Sequence, residues 1–494
     1  MAPSARGRTT ARVAIIGSGF SGIAAAIALK KKGIEDFIIF EQSPGLGGTW
    51  WHNRYPGAEV DLESHIYSFS YERYDWSRTH AGWQELQGYL EHVARRWDLH
   101  KHILFNEKVE SVTWSDENHD YIVATESGTD HRRFMSVISA VGFLNIPLVP
   151  PFARGESDYE GALCHTSRWI DGLDLTDKSI GVVGTGSSAV QVVTEAEKAG
   201  SEVKIFQLEP NWLLPKNSRD FTEQERKLNR FAPIYAWRRF KLYADYDKRQ
   251  YRASHARSDG RTNKVKRQQS LEFMQRELGD RPDLMELVTP KFAYEARRTV
   301  VSDTYYAALK SPKVSLVPHG VKGLTRTGAV DANGDEHDLD VIILATGFDA
   351  ANYLGNYRVR GENGADLHGH WEGEPEAFLG MMVPGFPNFF IMYGPNTNAI
   401  PLVSFYEAQA SFAAGLISRA AKKGHTRISV RRSAFLIYND WVQSALGKTV
   451  WATTRNYFQA GSGKIVSQWP FSASAYIAAT KLLRRLAVKI DGRS

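Results

Sequence analysis

The chain has 494 residues, of which 43% are hydrophobic and 23% are charged, and its formal net charge is +6. These proportions exclude a disordered or collagen-like chain, and the length predicts about three domains. Cys164 is the only cysteine, which excludes an intramolecular disulfide, a CxxC redox pair and a cysteine-rich zinc site. Any redox chemistry therefore needs a bound cofactor, and we predict no metal site.

The amino terminus, residues 1–11, is short and polar and has no apolar run behind it, so we expect no secretory signal. The longest apolar-looking stretch, residues 22–29, is far shorter than the roughly 20 residues that a membrane span needs. We therefore predict a cytoplasmic protein with no membrane span.

The first predicted strand, residues 12–16, is followed by a glycine-rich turn over residues 17–22 (GSGFSG) and by an alanine-rich helix through residue 29. Glycines let the backbone turn sharply and approach a pyrophosphate, and the amino end of the helix stabilises negative charge. The next predicted strand, residues 37–40, ends at Glu41, whose carboxylate can accept hydrogen bonds from ribose hydroxyls. This unit predicts a dinucleotide site. Residues 145–151 then form a proline-rich linker.

The same pattern recurs downstream, with a predicted strand over residues 179–183, a GTGSSA turn over residues 184–189 and a further strand over residues 203–207. Two complete units in one chain indicate electron transfer between a nicotinamide and a flavin. Two apolar strands that end in small residues, 137–142 and 341–349, suit crossings of the chain between the two nucleotide domains.

A basic helical stretch, residues 221–287, interrupts the second unit and is predicted to be an inserted lid. Within it, residues 226–267 carry 14 Lys or Arg and 3 Asp or Glu. Such a charge is typical of a solvated helical face, which we favour, and steering of an anionic cofactor is the alternative. We predict no nucleic-acid partner.

A motif between the two glycine turns closely resembles the FxGxxxHxxxW fingerprint of the flavin-dependent Baeyer–Villiger monooxygenases. Its residues are Tyr159, Gly161, His165 and Trp169. The resemblance extends over nearly the whole chain, through residues 47–64, 385–388 and 394–396. The departures are Tyr159 for the usual phenylalanine, Ile170 for proline or aspartate, and Val60 for a common cysteine.

The resemblance implies an α/β fold with two Rossmann-like dinucleotide-binding domains, for FAD and NADP, and a helical insertion. We expect the FAD domain at residues 1–148 and 381–494, the NADP domain at 149–218 and 290–380, and the insertion at 219–289. The implied reaction uses NADPH and O2 to convert a ketone into an ester or lactone through a flavin C4a-peroxide. The expected small-molecule partners are therefore a ketone and O2, and the oligomeric state stays open.

In this family the active arginine lies seven residues before a Tyr-Tyr pair, which identifies Arg298 ahead of Tyr305 and Tyr306. A slip of one residue would select Arg297 instead. A fixed guanidinium favours an anionic peroxide and stabilises the oxyanion of the addition intermediate, and Asp61 is the expected carboxylate partner. We expect His165 to link domains rather than to act as an acid or base.

The nicotinamide preference is where the sequence departs most from the family, in which an arginine after the second strand of the NADP domain contacts the 2′-phosphate of NADPH. The corresponding run here is QLEP, so Leu208 takes the place of that arginine. Glu209 stands where a carboxylate accepts the 2′-hydroxyl of NADH and repels a phosphate. Arg297, Lys216 or the basic insertion could replace the lost cation. We expect NADPH with weak discrimination, and NADH is the alternative.

The expected cofactor-binding residues combine the two glycine turns with the blocks that resemble the family. They are Gly17, Gly19, Phe20, Ser21, Gly22, Glu41, Gly48, Thr49, Trp50, Asp61, Tyr67, Val109, Gly184, Thr185, Gly186, Ser187, Ser188, Gln191, Arg297 and Arg298. Near the carboxyl end, Tyr457 replaces the tryptophan of a family loop that is expected to close over the nicotinamide and shape the substrate pocket. A surface hairpin is the alternative for this loop.

Three other functions compete with the ketone reaction. The nearest is a flavin monooxygenase that oxygenates sulfur or nitrogen, but Trp169 and Arg298 favour the ketone reaction. A flavin disulfide reductase needs a dithiol, which a single cysteine cannot supply. A nucleotide sensor or uncoupled oxidase would bind FAD and release only hydrogen peroxide.

Overall fold

A computed structural model describes residues 13–128, 132–155, 158–254, 257–424 and 426–492 of the chain. Residues 1–12, on which the prediction about a secretory signal falls, lie outside this description. The fold is α/β and is built around two separate five-stranded parallel sheets. The predicted fold class is therefore confirmed.

The first sheet contains the first predicted dinucleotide unit. In spatial order its strands are Phe389–Ile391, Ser136–Ser139, Val13–Ile16, Phe37–Phe40 and Ile103–Leu104. All four residues of the central strand Val13–Ile16 are buried, as expected for a parallel strand covered on both faces. The helix Phe20–Lys30 follows this strand and packs against Leu402–Lys422.

The second sheet contains the second predicted dinucleotide unit. Its strands in spatial order are Val314–Val317, Glu202–Phe206, Ser179–Val183, Val341–Leu344 and Ala162–His165. The helix Ser187–Ala199 packs against this sheet and against the short helix Tyr305–Leu309. Each sheet thus places one glycine turn at the carboxyl end of its central strand.

Each five-stranded sheet is the centre of one half of the molecule, the first half around Val13–Ile16 and the second half around Ser179–Val183, and smaller sheets extend both halves. Their strands are Val109–Ser115, Asp120–Thr125, Arg132–Phe134 and Arg358–Arg360; Val321–Leu324, Gly328–Asp331 and Glu336–Asp338; Leu213–Leu214 and Val300–Val301; and Arg427–Val430 and Val488–Asp491. Arg358–Arg360 pairs with Val109–Ser115, so a strand from the range expected for the NADP domain joins a sheet of the first half.

The insertion is helical and begins and ends next to the two-stranded sheet Leu213–Leu214 and Val300–Val301. Its helices are Glu223–Asn229, Ala232–Ser254, Arg261–Leu278 and Pro282–Val288. Thr222 starts the first of them with a capping box, in which its hydroxyl accepts from the Glu225 amide. Arg226 and Arg230 bind Asp75 of the first half at 3.1 and 3.0 Å, so part of the basic charge is neutralised by docking.

The remaining helical segments connect the strands of both sheets or pack around them. They are Thr49–His52, Trp83–Arg96, Leu367–Trp371, Arg432–Leu446 and Ala473–Ala487, with short 3-10 turns at His100–His102, Pro151–Ala153, Thr166–Arg168, Glu362–Gly364 and Val450–Ala452. Among the residues described, no helix combines the length and the apolar character that a membrane crossing requires.

Candidate active site

A cavity of about 1600 Å³ lies at the carboxyl ends of the strands and is lined by both halves and by the insertion. Sites for drug-sized ligands are typically about 300–1,000 Å³, so this cavity has room for cofactors as well as a substrate. The expected cofactor-binding residues that line it are Gly17, Gly19, Phe20, Ser21, Glu41, Gly48, Thr49, Trp50, Asp61, Tyr67, Val109, Ser187, Gln191 and Arg298. Gly22, Gly184, Thr185, Gly186, Ser188 and Arg297 are not among its lining residues.

The first glycine turn has a backbone conformation in which a side chain at Gly17 or Gly22 would clash with neighbouring backbone atoms. Gly17 has φ +97°, and a Cβ atom there would lie 2.8 Å from the carbonyl oxygen of Ala140. A Cβ atom on Gly22 would lie 1.9 Å from the carbonyl oxygen of Gly17. Gly19 precedes the helix Phe20–Lys30 and provides no side-chain cap, so no N-cap side chain competes with an anion for the first amides of that helix.

Glu41 lies at the end of the second strand and lines the cavity beside this turn. Its Oε2 accepts hydrogen bonds from the amide (2.9 Å) and hydroxyl (2.7 Å) of Ser18, and its Oε1 accepts from the amide of Ser43 (2.8 Å). The buried carboxylate therefore holds the strand end against the glycine turn. Its expected contact with a ribose stays a prediction.

An aromatic group forms the adjoining wall. The Trp50 indole donates to the Tyr67 hydroxyl at 3.2 Å, and the ring of Phe20 lies edge-to-face against Tyr67 with centroids 5.1 Å apart. Val109 is buried and also lines this region. These side chains offer an apolar surface of the kind that binds a planar ring.

The second glycine turn is built in the same way as the first. Gly184 has φ +121°, and Gly186 precedes the helix Ser187–Ala199 with no side-chain cap. The Thr185 hydroxyl donates to the carbonyl oxygen of Glu209 at 2.7 Å, which joins the turn to the loop after the second strand. This turn can therefore bind a second pyrophosphate.

The start of the helix Ser187–Ala199 is also bonded to the first half of the molecule. The Tyr55 hydroxyl contacts the Ser188 hydroxyl at 3.1 Å and donates to Gln191 Oε1 at 2.7 Å, and Gln191 Nε2 donates to the carbonyl oxygen of Glu59 at 3.0 Å. Burial raises the pKa of Tyr55, which keeps its hydroxyl protonated. Ser188 and Gln191 thus connect the two nucleotide units.

Arg298 and Asp61 form an ion pair in the cavity wall, with Nη2 and Oδ2 2.7 Å apart. Although 48% of the Arg298 side chain is exposed, the residue lines the cavity, so this surface faces the space for the ligands. Burial would lower the pKa of Arg298, but Asp61 and the hydroxyl of Tyr457 outweigh it and raise the pKa. The guanidinium is therefore a permanent positive charge.

Asp61 makes a second contact through the same carboxylate oxygen that pairs with Arg298. Its Oδ2 also accepts from the Ser187 hydroxyl at 3.3 Å, which is a residue of the second glycine unit. Its Oδ1 is buried and has no hydrogen-bond partner within the part of the chain that the structure describes. The carboxylate therefore retains one buried acceptor next to the space for the cofactors.

Arg297 points to a different partner from Arg298. It forms an ion pair with Glu209, and its guanidinium lies 5.0 Å from the ring centroid of Phe292. Lys216, the other cation considered near Glu209, is buried and binds Glu59 at 2.7 Å. The structure thus places Arg298 against Asp61, and Arg297 beside the residues expected to choose between NADPH and NADH.

Two features near Arg298, one contact and one residue in the cavity wall, were not predicted from the sequence. Asn456 Nδ2 donates to the carbonyl oxygen of Ala296 at 2.9 Å, so the carboxyl-terminal loop is bonded to the loop of the active arginine. Glu295 lines the cavity three residues before Arg298. The first contact spans 160 residues of sequence; Asn456 precedes Tyr457 in the loop expected to close over the nicotinamide, but nothing in that loop indicated a bond to Ala296, and Glu295 lies in no motif.

His165 of the resemblance motif is buried and bonded at both ring nitrogens. Its Nδ1 accepts from the amide of Ser167 at 3.1 Å, so the proton is assigned to Nε2, which donates to the carbonyl oxygen of Gly347 at 3.0 Å. Burial lowers the pKa of His165 to about 4. These contacts favour a structural role that ties the edge strand Ala162–His165 to the chain after Val341–Leu344.

We expect neutral His165 to make stability depend on pH. As pH falls, the unfolded chain takes up a proton near the usual pKa of 6.5, whereas the folded chain does so only near 4. The contribution is complete above pH 6.5 and is lost between about 6.5 and 4, with an upper limit of about 3 kcal/mol. Between pH 7 and 5, the melting temperature should therefore fall less steeply in H165Q than in the wild type.

The control for this prediction is T166A, because Thr166 is buried next to His165 in the chain and carries no acid or base that titrates in this range. The melting temperature of T166A should depend on pH as steeply as that of the wild type. An unchanged pH dependence in H165Q would contradict the proposed neutral state of His165.

Comparisons with known proteins agree with this geometry. The profile of the pyridine nucleotide-disulphide oxidoreductase family matches residues 14–307. The FAD-binding monooxygenase ktnD of Aspergillus niger is 35% identical to this chain, over 95% of it and 80% of the fungal protein. A Baeyer–Villiger monooxygenase of Pseudomonas aeruginosa is 32% identical, over 96% of this chain and 93% of its own length.

A solved structure gives the same result. An oxidised steroid monooxygenase bound to NADP matches 98% of this chain and 100% of its own, with a TM-score of 0.88 and 27% identity. The resemblance expected from the motif around His165 is thereby confirmed over the whole fold. The chain belongs to the pyridine nucleotide-disulphide oxidoreductase family, and within it is a FAD- and NADPH-dependent flavoprotein monooxygenase of the Baeyer–Villiger type.

Proposed function

We propose that the cavity wall carrying Arg298 and Asp61 is the place where this monooxygenase converts ketones into esters or lactones with O2. The observation that carries this proposal is the 2.7 Å ion pair, which fixes a permanent positive charge in a cavity lined by the first glycine turn and by Ser187 of the second unit. Bound FAD supplies oxygen activation after it has been reduced by NADPH. The proposed substrate is a small molecule that carries a ketone group.

Arg298 acts in this proposal through a charge that is in place before the reaction. Attack on a ketone turns the carbonyl oxygen into an oxyanion, and a guanidinium fixed nearby stabilises that oxygen without reorganising. Arginine suits this task because it stays protonated and offers several donors in one plane. Asp61 holds the guanidinium and partly balances its charge.

The two cofactors are assigned to the two halves by their glycine turns. FAD fits the first turn, where Gly17 and Gly22 leave no space for a Cβ atom, Glu41 lies at the adjacent strand end and Trp50 and Tyr67 offer an apolar wall. NADPH fits the second turn at Gly184, Thr185 and Gly186. Asp61 bonds Ser187 of the second unit and lines the same cavity as Gly17, and its buried Oδ1, which has no hydrogen-bond partner among the described residues, supports a bound ligand at this position.

The domain assignment follows from these sites. The FAD domain consists of two pieces, separated by the NADP domain and the insertion 219–289. Because Arg358–Arg360 pairs with Val109–Ser115 of the FAD domain, the second piece of the FAD domain is better started before Arg358 than at residue 381.

We also propose a cytoplasmic location, where NADPH is regenerated. Neither nucleic acid nor a particular oligomeric state is part of the proposal.

The stoichiometry of the reaction tests the proposed function. Purified protein loaded with FAD should consume one NADPH and one O2 for each ester or lactone formed from a ketone. Hydrogen peroxide in place of the ester, with every ketone tried, would contradict the proposal.

We further propose that Arg297 and Glu209 together set the choice of nicotinamide. Arg297 can bind the 2′-phosphate of NADPH in place of the arginine that Leu208 replaces, but its ion pair with Glu209 must first open. Glu209 in turn can accept the 2′-hydroxyl of NADH. Each cofactor therefore finds one suitable group and one competing group, which favours weak discrimination.

The ratio of kcat/KM for NADPH to that for NADH should accordingly stay below about 10³, which corresponds to about 4 kcal/mol. E209Q should raise the ratio by about tenfold because Arg297 is released, and R297Q should lower it by a similar factor. E202Q is the matched control, since Glu202 is a half-exposed glutamate at the start of the strand that leads into Glu209, and it pairs with Lys204. A wild-type ratio above 10³, or no change in E209Q, would contradict this assignment.

A further inference from the structure

The helix Ala232–Ser254 of the insertion presents a cluster of large apolar side chains to solvent. Trp237 and Phe240 are 62% and 59% exposed, and their rings stack with centroids 5.8 Å apart. Phe231, just before the helix, is 63% exposed, and Ile234 is 40% exposed. Each of the four lies three residues from the next, a spacing at which side chains on a helix are neighbours. Single exposed apolar side chains are common on soluble proteins, but a group of neighbours marks an interaction surface.

Two exposed lysines lie on the same side of this helix as the Trp237 ring. Lys241 follows Trp237 by four residues and Lys248 follows it by eleven, so the helical period of about 3.6 residues places all three on one face. Within the part of the chain that the structure describes, neither lysine forms an ion pair. We define the outer face by its exposed apolar and basic residues, which are Phe231, Ile234, Trp237, Phe240, Lys241 and Lys248.

The outer face contains no acidic side chain. The two acids of the helix, Asp245 and Asp247, are held by other partners. Asp245 pairs with Arg249, and Asp247 Oδ1 accepts from the amide of Ser474 at 3.0 Å. The positive charge of the two lysines is therefore not balanced within the outer face.

The opposite side of the helix packs against the rest of the molecule and fixes the direction of the outer face. Tyr235 and Gln250 are buried, and Gln250 Nε2 donates to the carbonyl oxygen of Trp469 at 3.2 Å. Arg239 donates to the Ser68 hydroxyl at 3.0 Å. The outer face could turn inward only if these contacts broke, so it stays available to a partner.

The chemistry of the outer face indicates an anionic lipid surface as this partner. Tryptophan and phenylalanine favour the lipid–water interface, where their rings are buried between headgroups and acyl chains. Lysines are attracted to anionic headgroups, and their long stems keep the charge in water while the neighbouring rings are buried. A second copy bound symmetrically through the same face would bring the lysines of both chains together, and like charges would weaken that contact.

We propose that the outer face docks the protein on the surface of a bilayer that contains anionic phospholipids. The helix Ala232–Ser254 then lies along the surface and does not cross the bilayer. Tyr246, on the buried side of the same helix, lines the cavity, so the lipid and the cavity lie on opposite sides of one helix, which is about 10–12 Å across. Docking therefore holds the cavity close to the lipid. This inference does not depend on the proposed ketone reaction.

Sedimentation with sucrose-loaded vesicles tests the inference on the full-length protein loaded with FAD. The vesicles contain phosphatidylcholine alone, or phosphatidylcholine with about 30 mol% phosphatidylserine. The wild type should bind the anionic vesicles at least about tenfold more tightly than the neutral ones, because the lysines contribute only to the former. This difference should shrink as the salt concentration rises from about 0.05 to 0.5 M, because salt screens the charges.

Two double variants separate the apolar and basic parts of the outer face. W237S/F240S should lower the affinity for anionic vesicles by about tenfold through the loss of the rings. K241Q/K248Q should lower it by a similar factor through the loss of charge, and should leave the weak binding to neutral vesicles unchanged. All four side chains are exposed, and an unchanged FAD content verifies that the variants fold.

Two matched double variants serve as controls. L436S/I437S removes two exposed apolar side chains from the helix Arg432–Leu446. K101Q/K198Q removes two exposed lysines that pair with Asp98 and Glu195. Both controls should bind anionic vesicles like the wild type.

Four results would overturn the inference. The first is a wild type that does not bind anionic vesicles, and the second is an equal loss of binding in L436S/I437S. Loss of binding in K241Q/K248Q with full binding in W237S/F240S would indicate general adsorption by charge. A dimer in the absence of lipid that W237S/F240S dissociates would identify a second copy of the chain as the partner of the outer face.

Discussion

Replacement of Arg298 by lysine is expected to lower ketone oxygenation by about 10²–10³-fold, equivalent to about 3–4 kcal/mol of lost transition-state stabilisation. Lysine keeps a positive charge but offers a point donor on a flexible chain in place of a planar fork. The 2.7 Å contact with Asp61 would therefore no longer fix the charge beside the reacting oxygen. Reduction of the flavin by NADPH should be retained in part, because the glycine turns are unchanged.

The two half-reactions separate these effects. Anaerobic loss of oxidised-flavin absorbance reports reduction, and the yields of ester and hydrogen peroxide in air report oxygenation. D61N should show the same pattern more weakly, because the guanidinium remains but loses its carboxylate. Equal losses of ketone and sulfide oxygenation without release of peroxide would count against both roles.

Replacement of Gly22 by alanine is expected to abolish tight FAD binding. The added Cβ atom would lie 1.9 Å from the carbonyl oxygen of Gly17, which is a backbone atom and cannot rotate away. The helix Phe20–Lys30 would have to move from the strand Val13–Ile16, and its amino end would leave the pyrophosphate position. We expect affinity for FAD to fall by about 100-fold or more, since a backbone clash exceeds the usual overpacking cost of about 1–3 kcal/mol.

The control is G88A in the helix Trp83–Arg96. A Cβ atom there would meet no atom closer than the Tyr74 hydroxyl at 3.5 Å, and alanine favours a helix over glycine. The flavin content of the purified proteins and their titration with FAD provide the measurement. A G22A protein with wild-type flavin content would show that the turn at Gly17 is not the FAD site.

The features that the sequence predicted best are local ones. Each nucleotide unit is a strand, a turn and a helix within about 20 residues, so glycine spacing and apolar periodicity are sufficient to identify it. Gly17 and Gly184 accordingly have the positive φ values that such turns require. The basic stretch was predicted to be helical, and it contains the helices Glu223–Asn229 to Pro282–Val288; that residues 219–289 form an inserted domain stays a prediction.

The contacts that the sequence could not predict join distant segments. Arg298 and Asp61 are 237 residues apart, and only the family resemblance suggested that they pair. Arg297 was named as a possible replacement for the lost cation, but its ion pair with Glu209 was not predicted, and this pair changes the electrostatic argument about NADH by balancing the carboxylate. Asn263 and Asn456 donate to the carbonyl oxygens of Tyr294 and Ala296 in the loop of the active arginine, and no local pattern connects either asparagine to that loop.

Analysis of the products formed under ¹⁸O2 tests the central claim most directly. Protein loaded with FAD is incubated with NADPH, ¹⁸O2, a set of cyclic, linear and aryl ketones, and a thioether, and the products are examined by mass spectrometry. We predict an ester or lactone that carries one ¹⁸O atom, and that this product is lost in R298K. Labelled sulfoxide without any ester, or hydrogen peroxide alone, would contradict the assignment of ketone oxygenation to this site.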